Sequence, residues 1–191
     1  MTDAQGQSPR ERYRAQVREE IKRHAWEQIA AAGVPSLSLN AIAKQVGMSG
    51  PALYRYFAGR DELITALIRD AYRSLADTVR AASGSGADLL GLARAISEWA
   101  RSDPQRYFLI YGTPVPGYHA PDDTTAISDE VMAVLLEACG GPEQATAPQR
   151  ALSFWTRLHG VLSLELAGHF TGMKLDPDAL ITDELSTLLQ R

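Results

Sequence analysis

The sequence predicts an all-α fold of about nine helices, and three observations predict it. Apolar residues recur at three- and four-residue steps through nearly the whole chain, the spacing that places them on one face of a helix. No stretch alternates apolar and polar residues as a half-buried strand does. The periodic stretches are interrupted by Gly and Pro, which end helices rather than continue them. With 191 residues, 45% hydrophobic and 22% charged, the chain is long and apolar enough to bury a core as one or two domains.

The elements follow in order. Residues 1–9 are polar and expected to be disordered. A first helix is predicted over 10–32, with Val17, Ile21, Ala25 and Ile29 on one face, and Gly33, Val34 and Pro35 end it. Short helices are predicted over 39–46 and 50–57, then a long one over 60–82. The first turn of that long helix carries Asp61 and Glu62, which favour the positive end of the helix dipole. Ser83-Gly84-Ser85-Gly86 is a break, read as a hinge between two functional regions. Helices over 87–102 and 104–111 follow. The stretch 112–121, with Gly112, Pro114, Pro116, Gly117 and Pro121, is neither regular helix nor central strand. Three last helices are predicted over 124–139, 148–171 and 177–190.

Residues 38–60 carry the chemistry. Leu39, Ile42, Ala43 and Val46 form one apolar face, and the small Ala43 lets a second helix cross close above it. Gly47 sits where a turn needs positive φ. Met48 fills the space between the two helices, Ser49 caps the next one, and Pro51 falls in its first turn, where no N–H is needed. Leu53 and Phe57 anchor that second helix. This is the layout of a helix-turn-helix. Its outward residues are informative. Ser49, Gly50, Pro51 and Ala52 form a small-residue tip that approaches base edges closely. Tyr54, Arg55 and Tyr56 flank the tip within reach of phosphates. Ser38 and Arg60 lie at helix starts, where backbone N–H groups also attract phosphate, and Lys44 is exposed on the first short helix. Arg10, Arg12 and Arg14 form either an arm to the DNA or, by preference, a solvated helix face.

The charge distribution agrees. Net charge is −4, but residues 1–60 hold nine Lys/Arg against five Asp/Glu, while 61–191 hold ten against eighteen. A basic head on an acidic body suits phosphate binding by one end.

At this point the chain resembles the TetR family of regulators. The resemblance covers about residues 10–68. It rests on the first helix ending at Gly33, Ser38-x-x-x-Ile42-Ala43, Val46-Gly47-Met48-Ser49, Leu53-Tyr54-Arg55-Tyr56-Phe57 and the Arg60-Asp61-Glu62-Leu63 opening. Tyr56 stands where many members carry His, and Arg60 where Lys is usual. Gly50-Pro51-Ala52 replaces the commoner Lys-Gly-Thr, so base recognition differs from that of better-known members. The resemblance implies a one-component repressor that binds double-stranded operator DNA as a homodimer and is released by a small, partly apolar effector. It divides the chain into a helix-turn-helix DNA-binding domain, 10–58, and a helical ligand-sensing and dimerisation domain, 59–191, with the fourth helix as connector. A weaker likeness, Trp155-Thr156-Arg157-Leu158-His159-Gly160, is similar to the Trp–His–Gly pattern of one subgroup of the family's sensor domains.

In the C-terminal part, the 148–171 helix is apolar nearly all round and so must be buried on more than one side. Phe154, Leu158, Leu162 and Leu166, with Ile181, Leu185 and Leu188 of the last helix, are expected to form a four-helix dimer interface. Two heads about 34–36 Å apart would enter successive major grooves of a near-palindromic site. Trp99, Tyr107, Phe108, Tyr111, Met132, Trp155 and His159 are candidate pocket lining, although each is of a type that also builds ordinary cores.

Other classes find little support. The sequence contains no G-x-S-x-G, P-loop, G-x-G-x-x-G or clustered Cys/His, so no enzyme and no cofactor is expected. His159, Glu165 and His169 do not have compact metal-ligand spacing, so no metal is expected. No apolar run reaches the roughly 20 residues that span a bilayer. Cys139 is the sole cysteine and the N-terminus is polar, which together suit the cytoplasm. The rival reading is a helical interaction or ligand-carrying protein with a vestigial helix-turn-helix, against which the Tyr54-Arg55-Tyr56 face speaks.

Overall fold

The computed structural model describes residues 8–115, 117–119 and 121–189, and every regular element among them is helical. The polar start predicted to be disordered lies mostly outside these residues, as does the predicted end of the last helix at Gln190. Two compact units are present.

The first unit contains residues up to Ile68 together with 113–120. Its first helix, α1 (Pro9–Ala32), starts in a capping box: Ser8 Oγ accepts from the Glu11 N–H, and the Glu11 carboxylate accepts from the Ser8 N–H at 2.7 Å. Arg10, Arg12 and Arg14 are therefore part of a helix and do not form an extended arm. Val17, Ile21, Ala25 and Ile29 are buried along one face. A short 3-10 turn, Val34–Ser36, leads to α2 (Leu39–Gln45), capped by Ser38.

Gly47 then breaks α2 at φ +70°. The Met48 N–H donates to the Ala43 carbonyl at 2.9 Å and the Gly47 N–H to that of Lys44 at 3.2 Å, a Schellman ending that turns the chain into α3 (Gly50–Leu53). Regular α-helix stops at Leu53 rather than at Phe57, because the next turn tightens: Tyr56 N–H donates to the Leu53 carbonyl at 2.8 Å. The next helix, α4 (Arg60–Gly84), opens with the Glu62 carboxylate accepting from the Ala58 N–H at 2.6 Å. Leu63, Ile64 and Leu67 are buried in its first turns. The buried Thr65 hydroxyl meets the Tyr118 hydroxyl of the 113–119 stretch at 2.9 Å.

The second unit holds α4 from Arg69 onward, α5 (Leu89–Ser102), α6 (Pro104–Tyr111), α7 (Asp122–Ala138), α8 (Ala147–Leu166) and α9 (Pro177–Leu189). Asp103 ends α5 and caps α6, and Pro104 opens α6, so the two helices meet at a corner. Leu75, Val79, Leu92, Ile96, Leu135, Phe154, Leu158, Leu162 and Leu185 share one buried core. Leu75, Ala76 and Val79 of α4 belong to that core, and of the predicted break Ser83–Gly86 the first two residues end α4 and Ser85–Gly86 form a turn, all inside the second unit. The division into units falls instead within α4, between Ile68 and Arg69.

Helix α8 ends earlier than its apolar pattern predicts. Gly168 adopts φ +81°, the His169 N–H donates to the Leu164 carbonyl, and the Gly168 N–H donates to that of Glu165, both at 2.9 Å. No helix of the described residues is long and apolar enough to cross a membrane.

Candidate functional site

The outward face of the helix-turn-helix is set by what its inner face buries. Leu53 and Phe57 are fully buried, which leaves Pro51, Tyr54 and Arg55 exposed and Gly50, Ala52 and Tyr56 half-buried. Ser49 is exposed, and its hydroxyl accepts from the Ala52 N–H at 3.4 Å, fixing the start of α3. Half of the Tyr54 surface, 50%, is open to solvent. The phenol therefore stands free beside the small-residue tip.

Two arginines of α1, which the sequence does not single out for this role, hold the far end of that segment. Arg14 Nη2 donates to the Arg55 carbonyl at 3.0 Å, and its guanidinium lies 5.9 Å from the Tyr56 ring centre. Arg18 Nη1 donates to the Tyr56 carbonyl. Its guanidinium sits 4.0 Å over the Phe57 ring and 3.5 Å from the Glu62 carboxylate. Carbonyls left open where α3 unwinds are thus closed by cations, which suit the negative end of a helical turn. The only sequence signal for this role is position: Arg14 and Arg18 are four residues apart, beside the buried Val17 and Ile21.

The other predicted phosphate ligands divide. Lys44 is exposed on α2. Ser38 is engaged as a cap: its hydroxyl accepts from the Ala41 N–H at 3.3 Å, and its own N–H donates to Gln28 Oε1 at 2.9 Å. Arg60 Nη2 donates to the Val34 carbonyl at 2.9 Å, so this guanidinium braces the connection between α1 and α2.

In the second unit, α6 and α8 border a cleft of about 350 Å³, lined by Tyr107, Tyr111, Trp155, Thr156, His159, Gly160 and Ser163. Four predicted pocket residues meet here. The Trp155 ring lies 4.1 Å from His159, Tyr111 4.4 Å and Tyr107 5.4 Å, centre to centre. His159 Nδ1 and the Tyr107 hydroxyl share a hydrogen bond of 2.9 Å, while His159 Nε2 is buried with no partner among the described residues. Burial pushes the Tyr107 phenol up to about 12 and the His159 imidazole down to about 4, so both are neutral near pH 7. Burial also raises Tyr111 and Tyr72. Tyr72 of α4, which the sequence does not flag, meets Tyr111 edge-on at 6.0 Å.

Three predicted pocket residues are not among the cleft's lining. Trp99 points into the core, its indole N–H donating to Ser74 Oγ at 3.1 Å. Phe108 packs edge-to-face on Tyr107, and Met132 packs against the core from α7. Glu165 is held bidentate by Arg101, at 2.7 and 3.0 Å. Among the described residues no group of His, Cys, Asp and Glu is placed to hold a metal.

The residues expected at a dimer interface pack within the single chain. Phe154, Leu158, Leu162, Ile181, Leu185 and Leu188 are all buried within their own chain, and Leu166 is half-buried against the same core. The reason is the tight pairing of α8 with α9, which uses those faces. The exposed stripe of α8 is instead Leu152, Thr156, Gly160 and Leu164, with Leu152 56% and Leu164 45% exposed. A Cβ built on Gly160 meets nothing within 4 Å.

Comparison with known proteins finds relatives over both parts of the chain. Residues 21–67 match the model of bacterial regulatory proteins, tetR family, and residues 89–188 that of the tetracyclin repressor-like C-terminal domain. HTH-type transcriptional regulator Rv1816 of Mycobacterium tuberculosis is 33% identical over an alignment 214 positions long, gaps included, covering 92% of each chain. Among solved structures, regulatory protein SCO4313 superposes with a TM-score of 0.92 at 63% identity, covering 96% of this chain and 100% of that one. PfmR of Thermus thermophilus, a TetR-family regulator, shares the fold alone: TM-score 0.65, 14% identity, 89% of this chain and 97% of that one. Two successive family matches, a relative aligned end to end and a helix-turn-helix with an exposed tip identify the chain as a member of the TetR family of transcriptional regulators.

Proposed function

We propose that the chain is a homodimeric repressor whose segment Ser49–Tyr56 reads near-palindromic operator DNA, and that a small molecule in the α6–α8 cleft releases it. The observation that carries the DNA role is the exposed Tyr54-Arg55 pair beside the small tip, with its backbone fastened by Arg14 and Arg18. In this reading the tip meets base edges, and Tyr54, Arg55 and Lys44 meet phosphates. Arg60 and Ser38 act mainly by holding the head together.

The dimer reading is supported by the exposed Leu152 and Leu164 of α8, which lie to either side of the cleft residues Thr156 and Gly160 on one stripe, so that a partner helix seated there would border the mouth of the cleft. Regulators of this family dimerise and bind small molecules. The sensor-subgroup pattern fits the cleft as well, since Trp155, His159 and Gly160 all line it. Ligand releases DNA only through a difference in its affinity for the two head arrangements.

The test is fluorescence anisotropy of a labelled duplex from the intergenic region next to the chain's own gene, titrated at several salt concentrations. Tyr54→Ala and Arg55→Ala are each expected to weaken binding about tenfold or more, and Arg55→Ala to lower the salt slope by about one. Operator affinity unchanged in both variants would overturn the docking arrangement.

A further inference from the structure

We infer that the α6–α8 cleft selects an uncharged, flat, largely apolar molecule whose hydrogen-bond acceptor is met by the Nε2–H of His159. The inference rests on the reading of this cleft as the effector site and adds the chemical class of what it takes.

The tautomer comes first. The Tyr107 side chain is fully buried, and burial keeps its phenol protonated. A buried O–H must donate, and the acceptor beside it is His159 Nδ1 at 2.9 Å. The imidazole is neutral, so its one proton then sits on Nε2. That N–H is buried and makes no hydrogen bond among the described residues. An unpaired buried donor is costly, and a ligand carbonyl or ether oxygen removes the cost.

The walls decide the rest. Tyr111 and Trp155 stand at steep angles, 55° and 67°, to the His159 ring and present aromatic surface. Among the described residues no Asp, Glu, Lys or Arg lines the cleft. A carboxylate ligand would find no cation, and an ammonium ligand no carboxylate, so the first would lose its hydration uncompensated and the second would be repaid only by the ring faces, about 0.5–2 kcal/mol against the larger cost of desolvating a charge. The polar groups at the mouth are already engaged: Thr156 Oγ1 donates to the Leu152 carbonyl at 3.0 Å, and Ser163 Oγ to that of Gly160 at 3.3 Å. His159 is thereby the group that fixes orientation.

The test uses probes of one shape on the full-length protein. Acetophenone and α-methylstyrene differ by a carbonyl oxygen against a methylene, and benzoate and benzylammonium add charge of either sign. Binding is read as tryptophan quenching, with Trp155→Phe as the control that leaves Trp26 and Trp99 in place. Acetophenone is expected to bind about tenfold more tightly than α-methylstyrene, and both charged probes more weakly than acetophenone. His159→Phe should bring the acetophenone to α-methylstyrene ratio close to one while α-methylstyrene still binds, which shows an intact cleft. His159→Gln, which keeps an N–H, should retain a preference for acetophenone. A ratio near one in the native protein, or a charged probe that matches acetophenone, overturns the inference and leaves the cleft as the effector site. Absence of any Trp155-dependent quenching overturns the cleft reading itself.

Discussion

Arg18 is the clearest place to perturb the DNA-binding head, because one guanidinium makes three contacts there. It donates to the Tyr56 carbonyl, lies 4.0 Å over the Phe57 ring and approaches Glu62 at 3.5 Å. A hydrogen bond from a charged donor contributes about 1.5–3 kcal/mol. A cation over an aromatic face adds about 0.5–2 kcal/mol. The ion pair, with its carboxylate 44% exposed, adds little. With 31% of the Arg18 side chain in solvent, the lower part of each range applies. Arg18→Ala should then destabilise the head by about 2 kcal/mol, roughly a thirtyfold shift in its unfolding equilibrium. Urea unfolding followed by far-ultraviolet circular dichroism reads this directly. Operator affinity should fall about tenfold, because the Tyr54–Phe57 turn loses its tether, yet the salt slope should stay at the native value. Arg18→Lys should recover less than half, since an ammonium cannot both stack on Phe57 and reach the carbonyl. Native stability and native affinity in Arg18→Ala would refute this account. A lowered salt slope with unchanged stability would instead make Arg18 a phosphate ligand.

Three further outcomes are expected. Gly47→Ala should cost about 1 kcal/mol in the same urea assay, purely from its φ of +70°, because a Cβ there meets nothing within 4 Å. His159 gives a pH effect: burial holds it near 4 when folded, below its ordinary 6.5, so between those values the unfolded chain alone takes up the proton. Stability is then full above pH 6.5 and declines by up to about 3 kcal/mol as pH falls to 4, a limb that urea midpoints should show flattened in His159→Phe. Tyr118→Phe removes the 2.9 Å bond to buried Thr65, and amide exchange over the Val115–Tyr118 turn should quicken about fivefold, the effect of roughly 1 kcal/mol.

Much of this architecture is legible in the sequence because it depends on local signals. The Val17-Ile21-Ala25-Ile29 stripe, the caps Ser38, Ser49 and Asp103, and the turn glycine Gly47 each act within a few residues. What depends on long-range partners is not legible. Arg14 and Arg18 look like solvated positions on a charged helix, and only the return of residues 55–57 to α1 gives them work. The α8 pattern shows that several sides are covered but not by what, so Phe154, Leu158 and Leu162, read from the sequence as interface, have a core of their own chain that only the fold displays. Trp99 is of a type that suits either pocket or core, and its bond to Ser74 Oγ, 25 residues away, is visible only in the fold. The end of α8 is hidden because apolar residues continue past Gly168, and its positive φ is a property of the folded backbone.

The cleft's link to α4 lies within the second unit: Tyr111, in the cleft wall, meets Tyr72 of α4 edge-on at 6.0 Å. A ligand that displaces Tyr111 would therefore press on α4 at Tyr72, a half-buried ring in van der Waals contact with the wall.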